Sequence, residues 1–214
     1  LAPERRRELA AWARAREALI LEDDYDAELR YDRGPTGCLQ GLAPDVVVLA
    51  GSVSKTMAPT LRLGWLCLPG SLAAEAMTLR ASLDGGGARF TEIAFAELLS
   101  SGAFDRHVRA CRQRYRAKRS LLLEAVSEEL PEATLGGIAG GLHAVLELPE
   151  SDEKEVIAAA SRNGVKVQGL SDYTLDHPRP PSLVIGYGPP SDRELRQAMA
   201  IIGRAAAGAG RAGG

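Results

Sequence analysis

The stretch Val46-Val47-Val48-Leu49-Ala50 is uncharged and largely β-branched, and it runs straight into Gly51-Ser52-Val53-Ser54-Lys55-Thr56. An apolar run that short, with no polar alternation, reads as a strand buried within a sheet that helices cover. It then delivers a lysine at the strand's carboxyl end. The same texture occurs earlier, where Ala18 to Leu21 stops at Glu22-Asp23-Asp24-Tyr25-Asp26, and later, where Leu61 to Leu68 is apolar. Helical patterns separate and follow these runs. Pro3 at a first-turn position with Leu9, Trp12, Ala13 and Ala15 gives an opening helix with one apolar face. Helices are expected over Ser71 to Ser82 and Thr91 to Ser100, then a long basic one from Phe104 to Leu130 that Pro131 ends. Arg33-Gly34-Pro35-Thr36-Gly37 reads as a turn-rich loop.

Beyond the long helix the pattern changes to a smaller unit. A strand over Leu142 to Leu148 leads to a helix from Asp152 to Asn163 with Gly164 at its end. Short strands follow at Val165 to Gln168 and Leu183 to Tyr187, then a helix from Ser191 to Ile202 and a Gly/Ala/Arg tail expected to fray. Alternating strands and helices place the chain in the α/β class. The boundary is set at residues 1–103 and 104–214. There is no internal repeat.

The 214 residues are 45% hydrophobic and 25% charged, enough for a core, and the net charge is -2. That balance points to neither nucleic acid nor an anionic membrane as a direct partner. Three irregularly spaced cysteines give no disulfide framework and no zinc site, which suits a reducing cytoplasm. No apolar run approaches the roughly 20 residues that span a bilayer. The chain opens in a charged helix without a signal-peptide pattern, so Leu1 to Glu17 reads as the interior of a longer protein.

Three features carry chemistry. A lysine in a loop of small hydroxyl residues at a strand's carboxyl end sits where open α/β sheets bind ligands, and its amine is a nucleophile once its pKa is lowered. Arg62, one loop later amid apolar residues, is expected to be shielded and to grip an anion, with the Ser52 hydroxyl adding a hydrogen bond. A carboxylate of the acidic cluster can hold a proton on a ring nitrogen, and the phenol two residues on can donate to a ring oxygen. Each has a plainer reading: a surface lysine, a solvated arginine, a helix start or metal loop made of Asp23, Asp24 and Asp26.

Their order along the chain is that of fold-type-I enzymes dependent on pyridoxal 5'-phosphate. The segment Ile20-Leu21-Glu22-Asp23-Asp24-Tyr25-Asp26-Ala27-Glu28-Leu29-Arg30-Tyr31 resembles that of MocR-type regulators, bacterial GntR-family transcription factors with a class I aminotransferase-like effector domain. Leu39-Gln40-Gly41-Leu42 is similar to the same family, as are the stretch from Gly51 to Gly64, Tyr115-Arg116-Ala117-Lys118-Arg119 and Ala139-Gly140-Gly141-Leu142-His143. The resemblance covers nearly the whole chain. It implies the C-terminal half of a fold-type-I transferase: a partial large-domain sheet, a long linking helix and a small α+β domain. It implies Lys55 as the internal aldimine lysine, Asp23 as partner of the pyridinium nitrogen, Tyr25 at the ring hydroxyl, and Ser52 with Arg62 on the phosphate. Choosing Asp23 over Asp24 rests on the resemblance, because spacing alone does not separate them.

The resemblance further implies a small amine or amino-acid ligand, a homodimer, and DNA contact only through an N-terminal winged helix. A full member carries that module and the first half of the large domain ahead of Leu1, with the glycine-rich phosphate loop, the ring-stacking aromatic and an Asn. Transaminase activity is expected only with that half. Many class I transaminases hold the substrate carboxylate with an arginine on a late strand. Leu183 to Tyr187 has none, and Arg179 just upstream is the candidate substitute. Two other functions compete: a fragment of a free-standing class I/II aminotransferase, and a Mg-dependent phosphotransferase using Asp23, Asp24 and Asp26. The charges of the basic helix, Arg106 to Arg119, encircle it and read as a solvated surface. His107 and His143 lack partners at metal spacing, and Cys111 reads as packing. The Gly51–Thr56 loop lacks the glycine that precedes the lysine in a P-loop.

Overall fold

The protein is described from a computed structural model, which places residues 1–30, 37–137, 141–148, 151–175 and 179–209. Tyr31, the turn-rich stretch 33–36, residues 139 and 140 of the glycine motif, and the tail after 209 lie outside the described residues. The chain divides into two compact units, Leu1–Glu28 with Arg33–Ala110, and Leu29–Asp32 with Cys111–Gly214. The divide lies inside the long helix, at Ala110/Cys111, where the sequence reading set it at 103/104.

The first unit is built on a three-stranded sheet in the order β1-β2-β3. Strand β1 (Ile20–Asp24) runs parallel to β2 (Val47–Ser52), and β3 (Gly64–Cys67) returns antiparallel beside β2. Helix α1 (Pro3–Ala15) and the short α2 (Leu39–Leu42) bury Ala10, Leu39 and Ala43 with Val47. The expected apolar face of α1 is shifted. Ala10 and Ala13 are buried and Trp12 is about half exposed, because the line of contact runs through Leu9, Ala10 and Ala13. The closing end of α1 is a Schellman turn: Ala18 N–H donates to the Ala13 carbonyl and Glu17 N–H to that of Arg14.

Helices α3 (Gly70–Asp84) and α4 (Arg89–Ser100) bury no residue fully and leave Met77, Leu79, Leu83, Phe90 and Ile93 exposed. Helix α5 (Ala103–Glu129) starts after Gly102, whose φ of +68° stops α4, and its first turns bury Phe104 and Val108 against Val53. Trp65 stacks on Phe95 at 6.3 Å, and Phe95 meets Phe104 edge-on at 5.1 Å. The sheet makes room for the Trp65 indole at Gly51, where a Cβ would lie 2.6 Å from Nε1.

The second unit packs helices on a four-stranded antiparallel sheet, β4-β5-β7-β6. Its strands are β4 (Thr134–Gly136), β5 (His143–Glu147), β6 (Gln168–Gly169) and β7 (Ser182–Gly186). Helices α6 (Glu153–Arg162) and α7 (Asp192–Ala209) join the later part of α5 over a core of Leu122, Leu146, Val156, Leu183, Leu195, Met199 and Ile202. Fully burying each such aliphatic side chain contributes about 1.5–3 kcal/mol. Asp152 caps α6 by accepting from Glu155 N–H at 3.0 Å, and Ser191 with Glu194 forms a capping box at the start of α7. The expected strand over 165–168 shrinks to Gln168–Gly169, and α7 continues past Ile202 to Ala209. The short β4 carries no sequence signal that the periodicity registers.

Candidate functional site

The alternation of side chains along β1 separates the adjacent carboxylates. Glu22 and Asp24 share a face with Ile20; Asp23 lies on the opposite face with Leu21. The Glu22 carboxylate is structural. Its two oxygens accept from Leu39 N–H at 2.7 Å and Gln40 N–H at 2.9 Å, satisfying the first turn of α2, and Arg6 lies 3.9 Å away. Asp23 pairs in register with Ala50, and Ser52, two residues further along β2, lies on the same face. The parallel strands thus bring Asp23 and Ser52 to one carboxyl-terminal end. The three aspartates read as a metal loop do not converge: Asp23 and Asp24 face opposite sides. Among the described residues no group of His, Cys, Asp and Glu is arranged to hold a metal.

Lys55 is exposed in the turn that follows β2. Beneath it the turn is held tightly. Met57 N–H donates to the Val53 carbonyl at 2.8 Å, Val53 N–H to Leu63 at 3.1 Å, and the buried Thr56 hydroxyl to Val53 at 3.4 Å. The Ser52 Oγ accepts from Ser54 N–H at 3.4 Å, which leaves its O–H to donate elsewhere. His107 of α5 meets the Thr56 carbonyl at 2.6 Å through Nε2, a contact between residues 51 apart that no sequence signal announces.

Arg62 ends the 3₁₀ turn Pro59–Leu61 in a left-handed conformation, φ +50°. For a residue with a side chain that conformation is strained. Gly64 then pairs with Ser52, so the loop carrying Arg62 returns to the end of β2 that carries Ser52. The expectation that Arg62 is shielded fails: its side chain is exposed, because the 3₁₀ turn has no buried residue to cover it. Tyr25, just past β1, is partly exposed. The charge of Asp26, then partial burial, then the charge of Asp23 push its phenol above the ordinary value of 10.0. Near neutral pH it is a hydrogen-bond donor. Arg179 is exposed ahead of β7 in the second unit.

No family model matches the chain. The pyridoxine biosynthesis regulator PdxR of Corynebacterium glutamicum, an HTH-type transcriptional regulator, is 38% identical over 202 residues, which is 94% of this chain and 44% of that protein. The HTH-type regulator YhdI of Bacillus subtilis is 35% identical over 90% of this chain and 42% of its own length. The probable rhizopine catabolism regulator MocR of Rhizobium meliloti is 27% identical over 86% of this chain. This is a MocR-type aminotransferase-like domain. Its fold is that of the fold-type-I aminotransferases. The multiple-substrate aminotransferase of Thermococcus profundus superposes with a TM-score of 0.84 at 23% identity, covering 98% of this chain and 53% of that one. The kynurenine aminotransferase of Pyrococcus horikoshii, solved with PMP, superposes with 0.83 at 22%, covering 96% and 52%. The MocR-type domain therefore spans about half the length of the proteins it matches. The phosphotransferase alternative has no support among these relatives.

Proposed function

We propose that this chain is the part of a MocR-type transcriptional regulator that holds pyridoxal 5'-phosphate and senses a small amine or amino acid. The observation that carries the reading is the register of β1 and β2. It gathers Asp23 and Ser52 on one face at the carboxyl ends of two parallel strands, with Lys55 in the turn that follows. Open α/β sheets take ligands at that end. The names of two of these relatives, PdxR and YhdI, are those of HTH-type transcriptional regulators, which supports DNA as the partner of the complete protein through another part of it. A homodimer and a cytoplasmic setting belong to the same reading; no helix of the described residues is long and apolar enough to cross a membrane.

The residues fit the cofactor by the chemistry of their donors. Lys55 offers an accessible primary amine for an aldehyde. Asp23 would keep a proton on the ring nitrogen, and Tyr25, held protonated by its acidic neighbours, would donate to the ring oxygen. Ser52 has a hydroxyl proton to give a phosphate, and Arg62 a guanidinium whose planar fork matches phosphate oxygens. When bound, the cofactor supplies an electrophilic carbon for amines and a ring that draws electrons from them. Glu22 and Asp24, on the other face of β1, take no part. Arg179 is the candidate for the ligand carboxylate.

The test is an absorbance titration of the chain with pyridoxal 5'-phosphate, followed by borohydride reduction and peptide mapping. A stable pyridoxyl group on Lys55, lost in Lys55→Ala, is expected. Label spread evenly over lysines 55, 118, 154 and 166 would sink the assignment.

A further inference from the structure

We infer that His107 is a positioning residue for Lys55, acting through the main chain of the turn that carries it. The inference rests on the cofactor reading above and extends it to a residue outside the segments that carry the family resemblance. The first turns of α5 present Phe104, His107 and Val108 on one face, at i, i+3 and i+4. Phe104 and Val108 bury Val53, the residue whose carbonyl anchors the turn by accepting from Met57 N–H and from the Thr56 hydroxyl. His107 completes the grip from the other side of the turn, with Nε2 2.6 Å from the Thr56 carbonyl. A carbonyl only accepts, so Nε2 carries the proton in this contact. Both the neutral tautomer protonated at Nε2 and the imidazolium make it.

The local sequence explains why a side chain is used. Three residues after Thr56 stands Pro59, which has no N–H with which to close a turn on that carbonyl. His107 supplies a donor from a helix instead. Val53 and Thr56 are buried, while Lys55, between them, is exposed. The turn is thus fixed on its inner side and open on its outer side, the condition for presenting one amine in one direction. Side chains that must act at a defined position gain from such support, because a locked base reduces the conformations lost on reaction. His107 thus acts on Lys55 through the Thr56 carbonyl and the main chain of the turn.

The chain contains four lysines, Lys55, Lys118, Lys154 and Lys166, and the last three serve as internal references. The experiment labels the full chain with a limiting amount of pyridoxal 5'-phosphate, reduces with borohydride, and counts the pyridoxyl group at each lysine. Four proteins are compared: wild type, His107→Leu, His107→Asn and His107→Gln. The side-chain amide of Gln reaches about as far as Nε2, whereas that of Asn falls short. Loss of one ordinary hydrogen bond predicts a roughly fivefold drop in the Lys55 share for the Leu and Asn variants. Gln should restore most of it, with the other three lysines unchanged throughout. Rescue by Gln but not Asn is what a merely structural side chain would not show, and because His107 is exposed the polar variants keep the helix surface. An unchanged Lys55 share in both Leu and Asn variants overturns this inference while leaving the cofactor reading intact. No preference for Lys55 in the wild type overturns the cofactor reading, and this inference with it.

Discussion

Glu22 and Asp23 are neighbours with the same functional group, and exchanging each for its amide should give opposite results. In Glu22→Gln one oxygen still accepts from Leu39 or Gln40, but the other is replaced by an NH₂ that faces an N–H donor. One charge-assisted hydrogen bond of the pair at 2.7 and 2.9 Å is therefore lost. Such bonds are worth about 1.5–3 kcal/mol each. The Glu22 side chain keeps 19% exposure, so water replaces part of the loss, and a cost near the lower end, about 2 kcal/mol, is expected. Glu22→Ala removes both bonds and should cost about 3 kcal/mol by the same reasoning. Asp23→Asn, on the open face, should alter stability by no more than about 0.5 kcal/mol. It should instead perturb the visible spectrum of the pyridoxal-phosphate-loaded chain. The assay is denaturant unfolding followed by tryptophan fluorescence. Both tryptophans, Trp12 and Trp65, lie in the first unit, so the signal reports on the sheet in question. An unchanged midpoint in Glu22→Gln would refute the capping role. A spectrum perturbed by Glu22→Gln but not by Asp23→Asn would show that the faces of β1 have been assigned the wrong way round.

Three further outcomes are expected. Glu17 holds the left-handed position of the Schellman turn, φ +51°, so Glu17→Gly should stabilise the first unit by about 0.5–1 kcal/mol, the left-handed strain less the entropy a glycine loses; a destabilised variant in the fluorescence assay would count against that geometry. Gly51→Ala should cost about 1–3 kcal/mol by overpacking against Trp65 and shift the indole emission as the ring leaves Phe95. The Tyr25 phenol, raised by Asp26, burial and Asp23, keeps its proton in the folded chain above the pH at which the unfolded chain loses it. Its contribution to stability is therefore complete below its ordinary value of 10.0 and lost as pH rises through the folded value. Tyr25→Phe should flatten that alkaline decline, and Asp26→Asn should lower the phenol's titration midpoint more than Asp23→Asn does; equal alkaline slopes for wild type and Tyr25→Phe would contradict the shift.

Much of this protein was legible in its sequence because short-range physics decides it. Although β1 runs on through Glu22, Asp23 and Asp24, beyond the apolar run Ala18 to Leu21 that marks it, the apolar run of β2 and the long α5 ended by Pro131 announce themselves by period and punctuation. So do the α6 helix between Asp152 and Gly164 and the lysine at the end of β2. The resemblance to MocR-type regulators was carried by contiguous segments and needed no structure. What the sequence left open were matters of which side and which partner. Spacing does not separate Asp23 from Asp24, since the two are adjacent at the end of one apolar run; the parallel register, set by burial of Ile20 and Val47 under α1 and α2, sends them to opposite faces of β1. Nor does it show that Glu22 ties down α2, or that Arg62 is exposed in a strained conformation. His107 lies 51 residues from Thr56, and a hydrogen bond to a main-chain carbonyl asks for no particular residue there. A strand or helix is written in its own residues, whereas a contact between distant segments depends on how the sheet is covered, and that is fixed only when the unit packs.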